Sequence, residues 1–299
     1  MAGLGSIRHP VSSLPIIAKV DIPGFPDWVG IDTSQSAVWI SNRDRNNVAR
    51  ISAATNQKTV EVPVDRGPCS GLAVGHGSVW VPCCADRKVV RVDTSVNVAI
   101  ARVDVPIASS EGGIAADDHA VWMPSDAGVS LVKIDPVTNA VASRIALPAG
   151  SFTAATGLGA IWVSSSKKDL VSRVDGVTNR VVGTIPVGPS PRFLAVGFGS
   201  VWVLNQGDGT VSRIDPAANR VVATITLETP GGGGDIATGA GAVWVTNLGK
   251  PLSRIDPATN TVTSQFVGPG GDALRVGFGA IWLCSFGLEQ LWRIDASQI

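Results

Sequence analysis

The chain has 299 residues, and its 24 lysine and arginine residues are balanced by 24 aspartate and glutamate residues. No net basic charge is therefore available to attract nucleic acid or an anionic lipid surface. With 44% hydrophobic and only 16% charged residues, the composition excludes a disordered chain. The 34 glycines and 19 prolines favour short strands joined by turns over a helical fold.

The N-terminal region is predicted to be a tail followed by one strand. Residues 1–14 are expected to form the tail, and residues 15–299 a single domain. The segment lacks the basic start and uninterrupted apolar run of a signal peptide, and no apolar run approaches the ~20 residues that span a bilayer. We expect a soluble protein without a membrane partner. Cytoplasmic and secreted locations both remain open.

The rest of the chain repeats itself at intervals of about 40 residues, each marked by a tryptophan. The repeated tryptophans are Trp39, Trp80, Trp122, Trp162, Trp202, Trp244 and Trp282. In the fifth copy, four runs rich in valine, isoleucine, threonine and tryptophan cover 193–196, 200–204, 210–214 and 220–227. Four strands per repeat indicate an all-β fold, a seven-bladed β-propeller.

The two ends of the chain predict how the ring closes. The seventh copy stops at 292–295, before its fourth strand, while the run IIAKVDI at 16–22 resembles the fourth strand of other copies. We predict that residues 15–24 complete blade 7, which removes an exposed sheet edge.

Repetition separates scaffold from site, because seven equivalent residues cannot all contact one ligand. The repeated tryptophans are interpreted as packing between blades. The same interpretation applies to the arginines and aspartates of the repeated Arg-Ile/Val-Asp motif, namely Arg173, Arg213, Arg254 and Arg293 with Asp175, Asp215, Asp256 and Asp295.

Residues that break the repeat at the channel mouth are the candidate site. We expect the residue eight before each tryptophan to pair with the residue after it, so the mouth carries residues just before the first strand and just after the second. Glu111, Asp235 and Asp272 are the candidate general bases or ligands of a divalent cation, Mg²⁺ or Ca²⁺, together with a further mouth carboxylate, Asp27. Arg192 is the candidate oxyanion stabiliser. Solvated or arginine-paired carboxylates are the alternative.

A second set of mouth residues is expected to contact the substrate. It comprises Trp28, Asn42, Arg43, Phe152, Phe193, Asn205, Asn247 and Ser285. The aromatic members provide apolar walls for an organic molecule or, alternatively, fill space between blades. The asparagines recur in three blades, which weakens a specific binding role.

The four cysteines leave three interpretations open. Cys69 and Cys84 are expected to face each other in the blade 2 hairpin, which suggests a disulfide. Buried inert thiols are the second interpretation, and a nucleophilic thiolate or soft-metal site is the third. His76 and His119 fall in turns facing away from the mouth, and His9 in the tail. The sequence therefore offers no Ser-His-Asp or histidine-rich metal site there.

The repeat also resembles a known family. The segments FLAVGFGSVWV at 193–203 and VSRIDPAANRVVATI at 211–225 resemble the YVTN-type repeat and the streptogramin B lyase (virginiamycin B lyase) group of seven-bladed propellers. That resemblance implies the fold over nearly the whole chain. Members of the lyase group open a cyclic depsipeptide ester by elimination, with a magnesium ion and a His/Glu set near the channel mouth. The matching positions here carry no histidine, and Glu111 is the only glutamate, so those roles are not transferred.

These observations predict a propeller that binds a small organic molecule at the channel mouth. A lyase or hydrolase acting on a lactone-like or ester-like substrate is the leading hypothesis. The alternative is a non-catalytic propeller that binds a ligand or a protein partner.

Overall fold

The structure is a computed structural model that describes residues 7–69, 71–108, 111–228 and 230–299. Seven antiparallel sheets form blades around a central channel, and the first strand of each blade contacts those of its neighbours, including blade 7 with blade 1. The predicted seven-bladed β-propeller is confirmed.

The strands follow the predicted order. The chain starts with β1 (Arg8–Pro10) and β2 (Ile16–Asp21). Blade 1 contains β3 (Pro26–Asp32), β4 (Ala37–Asn42), β5 (Asn47–Ser52) and β6 (Lys58–Pro63). Blade 2 contains β7 (Ala73–Gly75), β8 (Ser78–Cys83), β9 (Lys88–Asp93) and β10 (Val98–Asp104). Blade 3 contains β11 (Ala115–Ala116), β12 (Val121–Ser125), β13 (Ser130–Asp135) and β14 (Ala140–Ala146).

The second half of the ring has the same organisation. Blade 4 contains β15 (Ser151–Gly157), β16 (Ala160–Ser165), β17 (Leu170–Asp175) and β18 (Arg180–Pro186). Blade 5 contains β19 (Pro191–Gly197), β20 (Ser200–Asn205), β21 (Thr210–Asp215) and β22 (Arg220–Thr226). Blade 6 contains β23 (Ile236–Gly239), β24 (Ala242–Asn247), β25 (Lys250–Asp256) and β26 (Thr261–Val267). Blade 7 contains β27 (Leu274–Gly277), β28 (Ala280–Ser285) and β29 (Gln290–Asp295).

Helical structure is minor. In the described ranges it consists of single 3₁₀ turns at Val11–Ser13, Asp126–Gly128, Phe286–Leu288 and Ala296–Gln298. A membrane-crossing helix, which would need to be far longer and apolar, is therefore not found in these ranges.

The N-terminal strand closes the ring as predicted. β2 pairs antiparallel with β29, with Val20 opposite Leu291, and so supplies the fourth strand of blade 7. Part of the segment expected as a tail is also ordered, because β1 pairs in parallel with β26 and adds a fifth strand to blade 6. The outer edge of β26 offers unpaired backbone groups to this strand. An ion pair of 2.6 Å between Arg8 and Glu228 holds it in place.

The repeated tryptophans and arginines hold the blades together, as their repetition indicated. Trp202 is fully buried, and its indole Nε1 donates to the carbonyl oxygen of Gly197 at 3.1 Å. The Arg213 guanidinium lies 4.8 Å from the Trp202 ring centroid. Its Nη1 also donates across the blade boundary to Pro257 O at 2.6 Å and Asn260 Oδ1 at 2.8 Å. Arg91, Arg173 and Arg293 make equivalent contacts to the next blade, whereas Arg254 donates to Thr263 within its own blade.

A second set of contacts joins blades close to the channel. Ser164 Oγ donates to the Arg192 carbonyl oxygen at 2.6 Å, and Thr246 Oγ1 donates to that of Asp272. Cys284 occupies the equivalent position in blade 7, and its Sγ donates to Pro26 O at 3.2 Å. Complete burial raises the pKa of the Cys284 thiol well above its ordinary value. This cysteine is a structural group and not a nucleophile.

The other cysteines lie together in blade 2. Cys69 and Cys84 form a disulfide, with Cα atoms 5.9 Å apart. The register expected before the tryptophan is corrected in this blade, because Pro68 faces Cys83 where the loop shifts the register by two residues. Burial raises the pKa of the Cys83 thiol to about 12, so neither free cysteine supplies a thiolate at neutral pH.

Candidate functional site

Strand register decides which repeat-breaking residues reach the channel mouth. In blade 5, Leu194 pairs with Val203, as expected for the residue eight before Trp202. Blade 1 differs because its first turn is two residues longer, with Asp32 opposite Ala37. The register there shifts by two, which corrects the expected pairing for this blade.

A repeated hydrogen bond identifies the residues that lie at the same depth, or level, of the channel wall in different blades. The backbone N–H of Trp28 donates to Ser41 Oγ, just as that of Thr153 donates to Ser164 Oγ and that of Asp235 to Thr246 Oγ1. Trp28, Thr153 and Asp235 therefore occupy the same level of the channel wall. Asp27 and Asp272 lie one residue earlier, nearer the mouth, in the adjacent blades 1 and 7.

A cavity of about 340 Å³, here called the mouth cup, opens at this end of the channel. Its charged lining residues are Asp27, Arg43, Glu111, Arg192 and Asp272. Its apolar lining residues are Phe25, Trp28, Phe193, Leu248 and Phe286, together with glycines 232–234. Seven of the residues named from the sequence thus meet in one cavity.

Three aromatic side chains, here called the aromatic layer, form the floor of the mouth cup. The ring centroids of Trp28 and Phe193 lie 5.5 Å apart, and those of Phe152 and Phe193 lie 5.8 Å apart in an edge-to-face arrangement. All three side chains are buried. Trp28 and Phe193 also line a second cavity further along the channel, so the aromatic layer separates the two spaces.

The carboxyl groups of Asp27 and Asp272 are the most perturbed acids of the mouth cup. Burial raises the pKa of Asp27 to about 8, and the negative charge of Asp272 adds to this effect, whereas Arg43 opposes it. Burial likewise raises the pKa of Asp272 to about 7, although the Gly234 N–H bonded to its Oδ1 at 3.3 Å favours the charged form. Near neutral pH, Asp27 therefore holds a proton while Asp272 is partly ionised.

The backbone conformation beside Asp272 requires a glycine at position 234. Gly234 has φ of +101°, and a Cβ added there would lie 2.0 Å from the Thr246 carbonyl oxygen. A larger residue would collide with this oxygen, and the amide that contacts Asp272 would shift.

Two arginines bring positive charge to the mouth cup. The Arg43 guanidinium lies 4.0 Å from the Phe25 ring centroid, and within the described chain its side chain has no hydrogen-bond partner. The Arg192 guanidinium lies 4.2 Å from the Phe152 centroid. It donates to Glu111 Oε2 at 3.2 Å and to Gln206 Oε1 at 3.1 Å. Glu111 is thus paired with an arginine, the alternative considered for the mouth carboxylates.

Asp235 does not lie in the mouth cup. Its carboxylate is fully buried on the far side of the aromatic layer, where it pairs with Arg275 and accepts the backbone N–H groups of Ile236 and Leu274. Burial raises the pKa of Asp235, and Arg275 opposes this effect. The predicted catalytic and metal-binding role of Asp235 at the mouth is corrected, because its position one residue further along the strand turns it inward.

Four predicted substrate contacts are buried in the blades. Asn42 Nδ2 donates to Pro23 O at 2.9 Å, and Asn205 Nδ2 donates to the hydroxyls of Thr210 and Ser212. Asn247 and Ser285 occupy the equivalent position in blades 6 and 7 and are also buried. The lining of the mouth cup does not include any of the four, so we assign them to the scaffold.

The three predicted metal ligands are not brought together. Glu111 bonds to Arg192 and Asp235 to Arg275, and among the described residues no three His, Cys, Asp or Glu side chains form a group that could hold a metal ion. The ligand set Glu111, Asp235 and Asp272 is therefore corrected by the geometry.

Three lining residues were missed by the sequence reasoning. Phe25 and Phe286 stack with ring centroids 5.0 Å apart, and Leu248 lies beside the glycine run. Leu248 and Phe286 each lie four residues after a repeated tryptophan, the position at which Arg43 was predicted, whereas Phe25 precedes β3 in a connection that does not repeat. The repeat therefore offered a signal for Leu248 and Phe286, but only its proximity to Asp27 in the sequence pointed to Phe25.

Comparisons with known proteins identify the fold and leave the activity open. Residues 174–289 match a family model described as a repeat of unknown function, DUF6923. Curated proteins give no match. Among solved structures, the chain resembles a streptogramin B lyase, with 16% identity, a TM-score of 0.76, and 95% of each chain covered.

Two further structures resemble the chain to the same degree. One is a catalytically inactive histidine-to-alanine variant of virginiamycin B lyase from Staphylococcus aureus with quinupristin (16% identity, TM-score 0.78, covering 93% of this chain and 98% of that one). The other is Kuenenia stuttgartiensis hydrazine synthase (16% identity, TM-score 0.77, covering 93% and 97%). At this identity the likeness establishes the seven-bladed fold alone.

Proposed function

We propose that the protein is an enzyme that binds a small organic molecule in the mouth cup and cleaves an ester or lactone bond, by elimination or hydrolysis. The observation that carries this proposal is the pair of buried carboxyl groups, Asp27 and Asp272, which face a cavity that also presents two guanidinium groups. Perturbed acids gathered in a cleft are typical of catalytic sites.

The two carboxyl groups suit opposite roles in proton transfer. Near neutral pH the partly ionised Asp272 accepts a proton from the substrate or from an attacking water. Asp27, which keeps its proton up to a pKa of about 8, donates to the leaving oxygen. Asp27 thus takes the place that the sequence gave to Asp235.

The arginines suit the charge that develops on the substrate. Arg192 is the group that stabilises an oxyanion, because its side chain lines the cup with the guanidinium over the Phe152 ring, and its partner Glu111 is half-exposed. Arg43, supported on the Phe25 ring, binds an anionic or carbonyl group elsewhere on the substrate.

The size and lining of the mouth cup support an organic ligand. About 340 Å³ with aromatic walls and a few charged groups is typical of small-molecule sites. One structural neighbour was solved with the small molecule quinupristin, which is consistent with a similar class of partner.

The test is a screen of chromogenic esters, lactones and cyclic depsipeptides with the wild type and the Asp27→Asn, Asp272→Asn and Arg192→Ala variants. We expect each aspartate variant to lose about 100-fold or more in kcat/KM, since proton transfer typically contributes that much. The pH–rate profile of the wild type should be bell-shaped, with apparent pKa values near 7 and 8 that belong to the pair.

Asp118→Asn, an exposed carboxylate on a turn far from the mouth cup, is the matched control and should leave the rate unchanged. Parallel assays with Mg²⁺, Ca²⁺ or EDTA test the divalent cation expected from the sequence. Unchanged rates in both aspartate variants would refute the proposed roles.

A non-catalytic binding propeller is the second candidate. It is favoured by one observation: the lyase variant that lost a histidine is inactive, and no described histidine of this chain lines the mouth cup. Binding of a screened compound without turnover, abolished by Arg43→Ala, would favour this candidate.

A further inference from the structure

An ion pair beneath the aromatic layer breaks the repeat. The residue that faces each repeated tryptophan across the first hairpin is alanine in five blades and Gly30 in blade 1, but it is Arg275 in blade 7. Asp235, in the adjacent blade 6, is likewise the only acid at its level of the wall. Six blades are built without an ion pair here, so the fold does not require one.

Stability does not explain this pair either. Replacing a buried ion pair by apolar residues is often neutral or stabilising, because taking two charges out of water costs free energy that their attraction barely recovers. Small apolar residues fit both positions, because alanine faces the tryptophan in five other blades and blade 7 has Ala273 at the level of Asp235. A charged pair at this place therefore indicates a binding role.

Asp235 fixes the Arg275 side chain from behind. The carboxylate accepts the Ile236 N–H at 2.8 Å, the Leu274 N–H at 3.1 Å, and Nη1 of Arg275. Nη1 also donates to Leu274 O at 2.6 Å. Within the described chain Nε and Nη2 of Arg275 have no partner, and the side chain is 31% exposed. The guanidinium therefore retains donors for a ligand.

These donors face a cavity of about 290 Å³, here called the lower chamber, which lies below the aromatic layer. Alanine and valine side chains of the first strands form its walls, including Ala155, Ala195 and Val196. The lower chamber thus combines one cation with an apolar lining.

Two further polar groups in the lower chamber lack partners. Thr153 Oγ1 and Trp28 Nε1 are buried and make no hydrogen bond within the described residues, and both side chains line the chamber at the level of Asp235. Each is a buried donor that a bound molecule or an ordered water can satisfy. An indole N–H, a hydroxyl and a guanidinium can all donate, which calls for an acceptor.

We propose that the lower chamber is a second ligand site, separate from the mouth cup, that binds a small organic carboxylate. Arg275 holds the carboxylate with Nε and Nη2, in the forked geometry that guanidinium groups favour. The Thr153 hydroxyl donates to the same anion, and the alanine-rich wall contacts its apolar part. The volume, equal to about ten waters, limits the ligand to roughly ten non-hydrogen atoms.

The test is calorimetric titration with butyrate and benzoate, using the neutral amides butyramide and benzamide as matched probes. The double variant Asp235→Ala/Arg275→Ala places alanine opposite the tryptophan, as in five other blades, and leaves no unpaired charge. We expect wild type to bind the carboxylates more tightly than the amides, and the double variant to lose about tenfold or more of its carboxylate affinity.

Two single substitutions keep the test valid if the double variant does not fold. Thr153→Val should weaken carboxylate binding several-fold, whereas Thr153→Ser should retain it. Arg220→Ala, at an exposed arginine on β22 of blade 5, should leave it unchanged. The proposal is overturned if wild type binds the carboxylates no better than the amides, or if Arg192→Ala removes binding while the chamber variants keep it.

Discussion

At pH 9, the Asp27→Asn variant is expected to exceed the wild type in free energy of unfolding by about 3–5 kcal/mol. The folded protein holds the Asp27 proton up to a pKa of about 8, whereas the unfolded chain releases it near the ordinary value of 3.8. Between these pH values the folded state binds the Asp27 proton more tightly, so the contribution of Asp27 to wild-type stability is greatest below about pH 4 and falls as the pH rises to about 8. Each unit of pKa difference corresponds to about 1.4 kcal/mol, and partial relaxation reduces the total.

Urea unfolding from pH 4 to pH 9 measures this difference. The two proteins should have similar stability at pH 4 and diverge as the pH rises. Asp175→Asn is a control of opposite sign, because backbone N–H groups of Thr178 and Val177 lower the pKa of Asp175. That variant should be less stable than the wild type throughout this range and recover parity only below about pH 4, in a separate series that follows the Asp175 titration. Parallel wild-type and Asp27→Asn profiles across the range would contradict the buried acid.

Replacing Trp202 with alanine is expected to lower the free energy of unfolding by about 3–5 kcal/mol. The substitution removes a fully buried indole, its hydrogen bond to Gly197 O, and the surface on which the Arg213 guanidinium lies. Urea denaturation at pH 7 measures the loss. Phe198→Ala, at an exposed turn of the same blade, is the matched control and should change stability by less than about 0.5 kcal/mol. A loss below about 1 kcal/mol for Trp202→Ala would contradict its bracing role.

The fold could be predicted because the same four-strand pattern recurs in every blade. Trp202 and Arg213 make contacts within blade 5 and to blade 6 that recur, with their counterparts, around the ring. The closure by β2 was visible because residues 16–22 resemble the strand that the seventh repeat lacks.

The site could be predicted only in part, because a shift of one residue along a strand turns the side chain to the opposite face of the sheet. Asp272 lies ten residues before its tryptophan and reaches the mouth cup, whereas Asp235 lies nine before its own and points below the aromatic layer. In blade 1 the longer first turn shifts the strand register by two residues. The spacing of Asp27 and Trp28 from Trp39 therefore does not predict their depth in the channel.

Arg275 was not predicted from the sequence, for a different reason. Comparison among the repeats would have found it, since it stands where the other blades have alanine or glycine. Arg275 lies in the channel wall and not in the loops at the mouth, where the candidate residues were predicted.

The central claim is that two neighbouring carboxyl groups at the channel mouth titrate near neutral pH. Carbon-13 NMR titration of the aspartate carboxyl signals tests it directly, with Asp27→Asn and Asp272→Asn used for assignment. The account predicts two aspartate signals that titrate with midpoints near 7 and 8, one of which disappears in each variant. Aspartates that all titrate below pH 5, or neutral-range signals that persist in both variants, would contradict it.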